Sequence, residues 1–234
     1  DCTPITIISQ PRILRLQTLL SNKHIPIKQR NIPDKMGRNI ITMEKIVFAT
    51  HNKNKLEEIR SIINNYEILG LSDIGCNEEI IEDADNIKGN AKIKADFVTN
   101  NFHLNCFADD TGLEVEALNG EPGVFSARYA GENCSYHDNV VKLLKTMEGI
   151  ENRNARFRTV IALNLEGQQY FFEGIVNGKI LTEEHGDKGF GYDPIFQPDG
   201  FKESFAEMTM ETKNKISHRG KATAKLIDFL ANNK

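Results

Sequence analysis

Two adjacent carboxylates, Asp109 and Asp110, follow the apolar run Asn105-Cys-Phe-Ala108 and precede Thr111-Gly112. Side by side at a strand end they repel, and each needs a cation or a shared proton to be held there. Hard oxygen ligands of this kind suit Mg²⁺, which keeps several waters and engages substrate phosphates. Neighbours on an extended chain point to opposite sides, so one acid can face a metal while the other orients water or polarises a neighbour. An exposed acidic turn is the plain alternative.

Four further segments carry side chains that complement such a pair. Thr50-His-Asn-Lys-Asn-Lys55 sits where a strand hands over to a helix, and free N–H groups there favour an anion. Thr50 and Asn52 add short donors, and Lys53 and Lys55 add charge. The Gly-x-x-x-x-Gly-Lys-Ser/Thr pattern of a P-loop is missing. Glu82-Asp-Ala-Asp85 precedes a helix carrying Asn90, Lys92 and Lys94, so a second metal ligand and a phosphate-reaching lysine can come from one segment. Acidic helix starts are also ordinary dipole partners. In Gly189-Phe-Gly-Tyr-Asp-Pro194, two glycines let the backbone approach a flat ligand. Phe190 can stack on a base, and Asp193 can accept from base N–H groups. Lys213-Asn-Lys-Ile-Ser-His-Arg-Gly220 brings Lys213, His218 and Arg219 to the start of the last helix, as donors for a purine carbonyl or phosphates.

The elements that must position these residues are legible from periodicity. A strand at 44–50 leads into a helix to about 65, with Leu56, Ile59, Ile62 and Ile63 on one face, and a short strand follows at 66–70. A helix at 86–102 aligns Ala91, Ala95, Val98 and Phe102. Alternation of Leu113, Val115 and Ala117 with Glu114 and Glu116 predicts a half-buried strand. A helix near 135–148 buries Val140, Leu143, Leu144 and Met147. The stretch 155–165 turns at Glu166-Gly167 and returns through 170–176 as a hairpin. The closing helix, capped by Ser217, lines up Ala222, Leu226, Phe229 and Leu230. Strands alternating with helices, plus one hairpin, predict an α/β protein with a mixed sheet.

Composition narrows the class. The 234 residues are 26% charged and 39% hydrophobic, ordinary for a globular chain that can bury a sizeable core. No run approaches the ~18–20 apolar residues of a membrane span. Residues 1–42 hold seven Lys or Arg against Asp1 and Asp34, a balance of +5; the remaining 192 carry 22 basic and 31 acidic residues, or −9. That balance disfavours nucleic acid and acidic membranes as partners. The first 42 residues lack a sustained period and are interrupted by Pro11, Pro26 and Pro33. They read as a basic extension outside the fold, too polar for a secretory signal, with the folded domain spanning 43–234. Cys2, Cys76, Cys106 and Cys134 are scattered, without metal-ligand spacing, and read as reduced thiols of a cytoplasmic protein.

Taken in order, the motifs resemble the inosine triphosphate pyrophosphatase family. The segments carrying the resemblance are Thr50-x-Asn-x-x-Lys55, Ala108-Asp-Asp-Thr-Gly112, Pro122-Gly-Val-x-Ser-Ala-Arg-Tyr129, Gly189-Phe-Gly-Tyr-Asp-Pro194 and Ile216-Ser-His-Arg-Gly220, over residues 43–234. The resemblance implies an elongated two-lobed α/β fold with the active site in the cleft, and a homodimer. It implies Mg²⁺-dependent attack of water at the α-phosphorus of ITP, dITP or XTP, giving the monophosphate and pyrophosphate. Thr50, Asn52 and Lys55 would hold the triphosphate with Lys94 nearby. Glu82 and Asp110 would bind Mg²⁺, with Asp110 the proton acceptor supported by Asp109. Thr111 would contact substrate where relatives carry Ser. Phe190, Gly191, Tyr192 and Asp193 would cradle the base, and Lys213, His218 and Arg219 would complete its recognition. Two departures stand out. The usual Glu-Thr-Gly reads Glu82-Asp-Ala84, which leaves Asp83 and Asp85 as alternatives to Glu82. The usual Glu-Asn-Ala reads Gly89-Asn-Ala91. Rival readings are a phosphohydrolase releasing orthophosphate and a non-catalytic nucleotide-binding protein.

Overall fold

The structure, a computed structural model, describes residues 31–33, 39–41, 43–64 and 66–232. The chain divides into two units, Asp1–Thr42 and Met43–Lys234. In the first, β1 (Asn31–Pro33) pairs antiparallel with β2 (Asn39–Ile41) in the register Asn31 to Ile41. The short apolar stretches of residues 5–20 lie outside the described residues.

The second unit is a mixed α/β domain built on a seven-stranded sheet. Its first half is a parallel crossover arrangement: β3 (Glu44–Phe48), α1 (Lys53–Ile62), β4 (Tyr66–Leu69), then α2 (Ile87–Phe102) leading to β5 (Cys106–Val115). The edge β4 pairs parallel with β3, and β3 pairs parallel with β5. From β5 onward the sheet is antiparallel, through β7 (Asn154–Leu165), β8 (Gln168–Ile180) and β9 (Phe196–Pro198), with the short β6 (Pro122–Gly123) beside β5. Helix α3 (Tyr136–Thr146) precedes β7, and α4 (Met210–Ile216) and α5 (His218–Asn232) close the chain.

Apolar spacing accounts for these elements. Ile59 and Ile63 bury from α1; Ala91, Ala95 and Val98 from α2; Val140, Leu143 and Met147 from α3; Ala222, Leu226 and Leu230 from α5. Asn52, Asn86 and Ser135 cap α1, α2 and α3, the last through a reciprocal capping box with Asp138. Ser217 Oγ accepts from Gly220 N at 3.0 Å, as the sequence led one to expect.

Three expectations are corrected. The run 105–108 and the alternating segment from Leu113 are one ten-residue strand, so Asp109 and Asp110 sit mid-strand, opposite Ile161 and Val160 of β7. Polar residues within a strand break the apolar pattern and make one strand read as two. The hairpin's second arm runs on to Ile180, because the polar positions beyond Val176 still pair with β7 and β9. Lys213 does not begin the last helix; it lies in the separate short α4, which ends where Ser217 turns extended (φ −67°, ψ 159°).

Two apolar cores flank the acid pair. One packs Val47, Ala49, Leu71, Ala91, Ala95 and Val98 against Cys106 and Ala108. The other packs Leu113 and Val115 with Leu143, Phe157, Ile195, Phe196 and Phe205. Strand β5 contributes to both, with Cys106 and Ala108 in the first and Leu113 and Val115 in the second. The first turn of α5 lies directly on β8: a Cβ built on Gly174 would fall 2.0 Å from the His218 carbonyl oxygen and 2.6 Å from Ala222 N. Only a glycine admits that approach, so Gly174 sets the height of the two residues that open α5. Gly174→Ala should therefore destabilise the domain by about 1–3 kcal/mol through overpacking. The check is the urea midpoint, and an unshifted midpoint would show that α5 can retreat at no cost.

Candidate active site

A cavity of about 530 Å³ opens between the two cores. The turn after β3, the segment before α2, mid-β5, the start of α3, the 189–193 loop and the start of α5 line it. Of the site residues named from sequence, Thr50, Asn52, Lys55, Glu82, Lys94, Asp110, Thr111, Phe190, Gly191, Tyr192, Asp193, His218 and Arg219 reach its wall. Asp109 and Lys213 stand behind that wall, in contact with residues that form it.

The two acids of β5 have opposite surroundings. Asp109 is 1% exposed; Oδ1 accepts from Lys55 Nζ at 2.9 Å and Oδ2 from Arg219 Nε at 3.0 Å. Burial opposes its ionisation, but Lys55, Arg219 and Lys94 outweigh it and hold the carboxyl well below the usual range. Asp110 faces Glu82 and Lys94. Its Oδ1 accepts from Thr111 N at 2.9 Å and lies 3.7 Å from Lys94 Nζ, while its buried Oδ2 has no hydrogen-bond partner among the described residues. Burial raises its pKa, the Lys94 and Lys55 charges oppose that, and Glu82 and Asp109 add to it. Paired carboxylates whose environments push their pKa values apart divide into a fixed anion and a proton acceptor. Here Asp109 is held as the anion, and Asp110 has the higher proton affinity.

Behind the cavity lies a chain of buried charges. Glu58 of α1 pairs with Lys213 Nζ at 3.0 Å and with Arg219 Nη1. Lys213 also reaches Asp193 Oδ2 at 2.8 Å, and that oxygen accepts from Phe190 N at 2.7 Å. Burial would raise the Glu58 pKa, but Arg219 and Lys213 bring it below the ordinary value. At Gly189 (φ +76°) a Cβ would lie 2.1 Å from Asp193 Oδ2, so this glycine is what lets Asp193 fold back onto the loop. Three of the five N–H groups of Arg219 are committed to Asp109, Glu58 and Thr111. Thr111 Oγ1 also meets the fully buried Thr159 Oγ1 at 2.7 Å.

His218 stacks on Phe157, centroids 4.5 Å apart and planes 17° from parallel. Burial, then the Arg219 and Lys213 charges, push its pKa well below the ordinary value, so it is a neutral imidazole. The Tyr192 hydroxyl donates to the Ser126 carbonyl at 2.9 Å, which makes Tyr192 a brace between loops as well as part of the wall. Asn52 Oδ1 accepts from Asn54 N and Lys55 N, so the α1 cap engages its oxygen. Thr50 Oγ1 accepts from Asn52 N at 3.1 Å and tightens the same turn.

A model of the Ham1 family matches residues 46–229. The chain belongs to the Ham1 family. It is 58% identical to the dITP/XTP pyrophosphatase of Flavobacterium johnsoniae over 187 residues, 80% of this chain and 97% of that one. Among solved structures it is similar to the Ham1 protein of Staphylococcus aureus, with TM-score 0.75, 37% identity, and coverage of 82% and 100%. A second is titled nucleoside-triphosphatase / dITP/XTP pyrophosphatase, from Mycobacterium abscessus, with TM-score 0.64, 41% identity, and coverage of 78% and 98%.

Against this Ham1 background the two motif departures are one steric unit. A Cβ on Gly89 would lie 2.5 Å from the Ala84 Cβ. With Ala at 84, a side chain at 89 would push the Glu82 segment away from α2; glycine lets Ala84 N reach Asn90 Oδ1 at 3.0 Å. Lys94 Nζ, 2.7 Å from Glu82 Oε2, holds Glu82 itself beside Asp110.

Glu58, Phe157, Thr159 and Tyr136 belong to this neighbourhood and were not singled out from sequence. Glu58 had a signal: it lies on the helical face of Ile59 and Ile62, where a charge asks for a buried partner. Phe157 and Thr159 gave none, because their alternation reads as core. Glu58→Ala should cost about 3–5 kcal/mol, since it takes one of two carboxylate partners from each of Arg219 and Lys213 and leaves an uncompensated positive charge buried. Chemical denaturation measures this, and a loss below about 1 kcal/mol would mean that solvent reaches the network.

Proposed function

We propose that this protein hydrolyses the non-canonical purine nucleoside triphosphates ITP, dITP and XTP to the nucleoside monophosphate and pyrophosphate. The observation that carries the reading is Asp110: a buried carboxylate with raised pKa and an unpartnered oxygen, on the wall of a cavity that also presents Lys55, Lys94 and Phe190. The names of the relatives point the same way. The catalytic domain is residues 43–234, which the family match at 46–229 supports, with residues 1–42 outside it. We extend the reading to a cytoplasmic homodimer, as the resemblance implies. Free thiols at Cys76, Cys106 and Cys134 accord with a reducing compartment.

Mg²⁺ fits the donors present. No group of three or more His, Cys, Asp or Glu gathers among the described residues. Two carboxylates completed by substrate oxygens and waters are nonetheless the usual Mg²⁺ arrangement, and the orphaned Asp110 Oδ2 is a ready ligand. Glu82 and Asp110 would hold the ion, and bound there it supplies neutralisation of phosphate charge.

Phosphoanhydride hydrolysis needs positioning and charge compensation more than covalent help. Lys55 and Lys94 offset the triphosphate charge, and Asp109 stays ionised to keep Lys55 and Arg219 in place. Asp110 takes the proton of the attacking water. At the other end of the cavity Phe190 offers a ring to the purine. His218 and the uncommitted N–H groups of Arg219 face a 6-keto oxygen; adenine would set its amino donor against them and leave buried groups unpaired.

The deciding experiment resolves the products formed from ITP, XTP, dITP, ATP and GTP, with Mg²⁺ and with chelator. The expected result is metal-dependent monophosphate and pyrophosphate from the first three. Orthophosphate as first product would reassign the chain to another class of phosphohydrolase. Asp110→Asn should lower kcat at least about 10²-fold at unchanged melting temperature. The acid limb of kcat/KM should move to higher pH as Mg²⁺ is lowered, because the metal-free Asp110 pKa is raised, the ion opposes that rise, and only the ionised form binds metal and accepts a proton. A flat acid limb would remove Asp110 from that role.

A further inference from the structure

Tyr136 is the first residue of α3, and the Ser135 and Asp138 capping box secures that helix start without its side chain. The side chain is 42% exposed and belongs to neither apolar core, so the fold does not depend on it. It nevertheless reaches across the cavity mouth. Its hydroxyl oxygen accepts from Asn52 Nδ2 at 3.0 Å, and its ring lies against Phe190, centroids 5.8 Å apart and planes tilted by 43°. One exposed side chain thus joins the turn expected to hold phosphate to the loop expected to hold the base.

The hydrogen-bond accounting adds direction. Asn52 Oδ1 is engaged by the α1 cap, so its amide group is what remains to face the cavity, and it donates to Tyr136. The phenol oxygen therefore acts as acceptor. Its own hydrogen goes to no acceptor among the described residues, and accepting one bond makes it a stronger donor for the next.

We propose that Tyr136 is a further substrate-binding residue: it closes the cavity mouth over the nucleotide, its ring beside Phe190 and its hydroxyl hydrogen donated to a sugar or α-phosphate oxygen shared by ribo- and deoxyribonucleotides. This rests on the reading of the cavity as a nucleoside triphosphate site. The part of a nucleotide that lies between its base and its outer phosphates is that oxygen-rich middle, and Tyr136 stands between the residues assigned to the two ends.

The test is steady-state kinetics of wild type, Tyr136→Phe and Tyr136→Ala on ITP and dITP, with melting temperatures. Tyr136→Phe should raise KM about 3- to 10-fold, the worth of one hydrogen bond, equally for both substrates and at unchanged kcat, the signature of uniform binding. Tyr136→Ala should raise KM further, at an unchanged melting temperature. Unchanged KM in both variants, or a loss in Tyr136→Ala that follows a lowered melting temperature while Tyr136→Phe behaves as wild type, would overturn the proposal and leave the pyrophosphatase reading standing. An effect confined to ITP would also overturn it, because the contact would then be to the 2′-hydroxyl. If the wild type turns over neither substrate, the reading of the site falls, and the proposal falls with it.

Discussion

The structure depends on how three buried cations, the half-buried Lys55 and their carboxylates are neutralised in one place. Lys55, Lys94, Lys213 and Arg219 are paired to Asp109, Glu82, Asp193 and Glu58 by contacts that tie α1, α2, α4, α5, mid-β5 and the 189–193 loop together. Buried ions cost several kcal/mol each unless geometry and extra hydrogen bonds compensate. The network is therefore a specificity device: it is satisfied only when both cores are docked on β5 in one arrangement. Asp110 stands outside this full compensation, and the remaining electrostatic demand of the site falls on its free oxygen.

That division explains why an enzyme would keep two adjacent acids. Their backbone positions are equivalent, one residue apart on a strand, yet the pleat turns them toward different neighbours. Asp109 meets two cations at hydrogen-bonding distance and becomes permanently negative. Asp110 meets a more distant lysine, a second carboxylate and a dry wall, and its affinity for a proton rises. The same residue type acquires opposite proton affinities, and the difference lies in desolvation and charge pairing alone.

The close approach of α5 to β8 at Gly174 belongs to the same design. It lowers the start of α5 onto the sheet, seats His218 on Phe157 and lets Arg219 reach both Asp109 and Glu58. A histidine kept neutral by burial and neighbouring cations can donate and accept without carrying charge into the pocket. Phe190, with Lys213 Nζ 5.2 Å and Arg219 Cζ 5.5 Å from its centroid, is a ring already polarised by cations before any ligand arrives.

The order and type of the long elements were legible in the amino-acid sequence, because Ile59 with Ile63, Ala91 with Ala95 and Val140 with Leu143 repeat at the helical period and Ser217 marks where the last helix begins. The motif residues stood out only in combination, since each segment alone also reads as a polar turn or helix start, while five in order over residues 43–234 carry the family resemblance. What periodicity could not carry was the continuity of β5 through its own acids, the break between α4 and α5, and the partners of each charge. Glu58 lies 161 residues from Arg219, and no local pattern encodes a pairing at that separation. The resemblance named Asp110 over Asp109 as the proton acceptor, but the physical cause of their difference lies only in the tertiary structure, because a pKa is set by burial and by the charges that folding brings within a few ångströms.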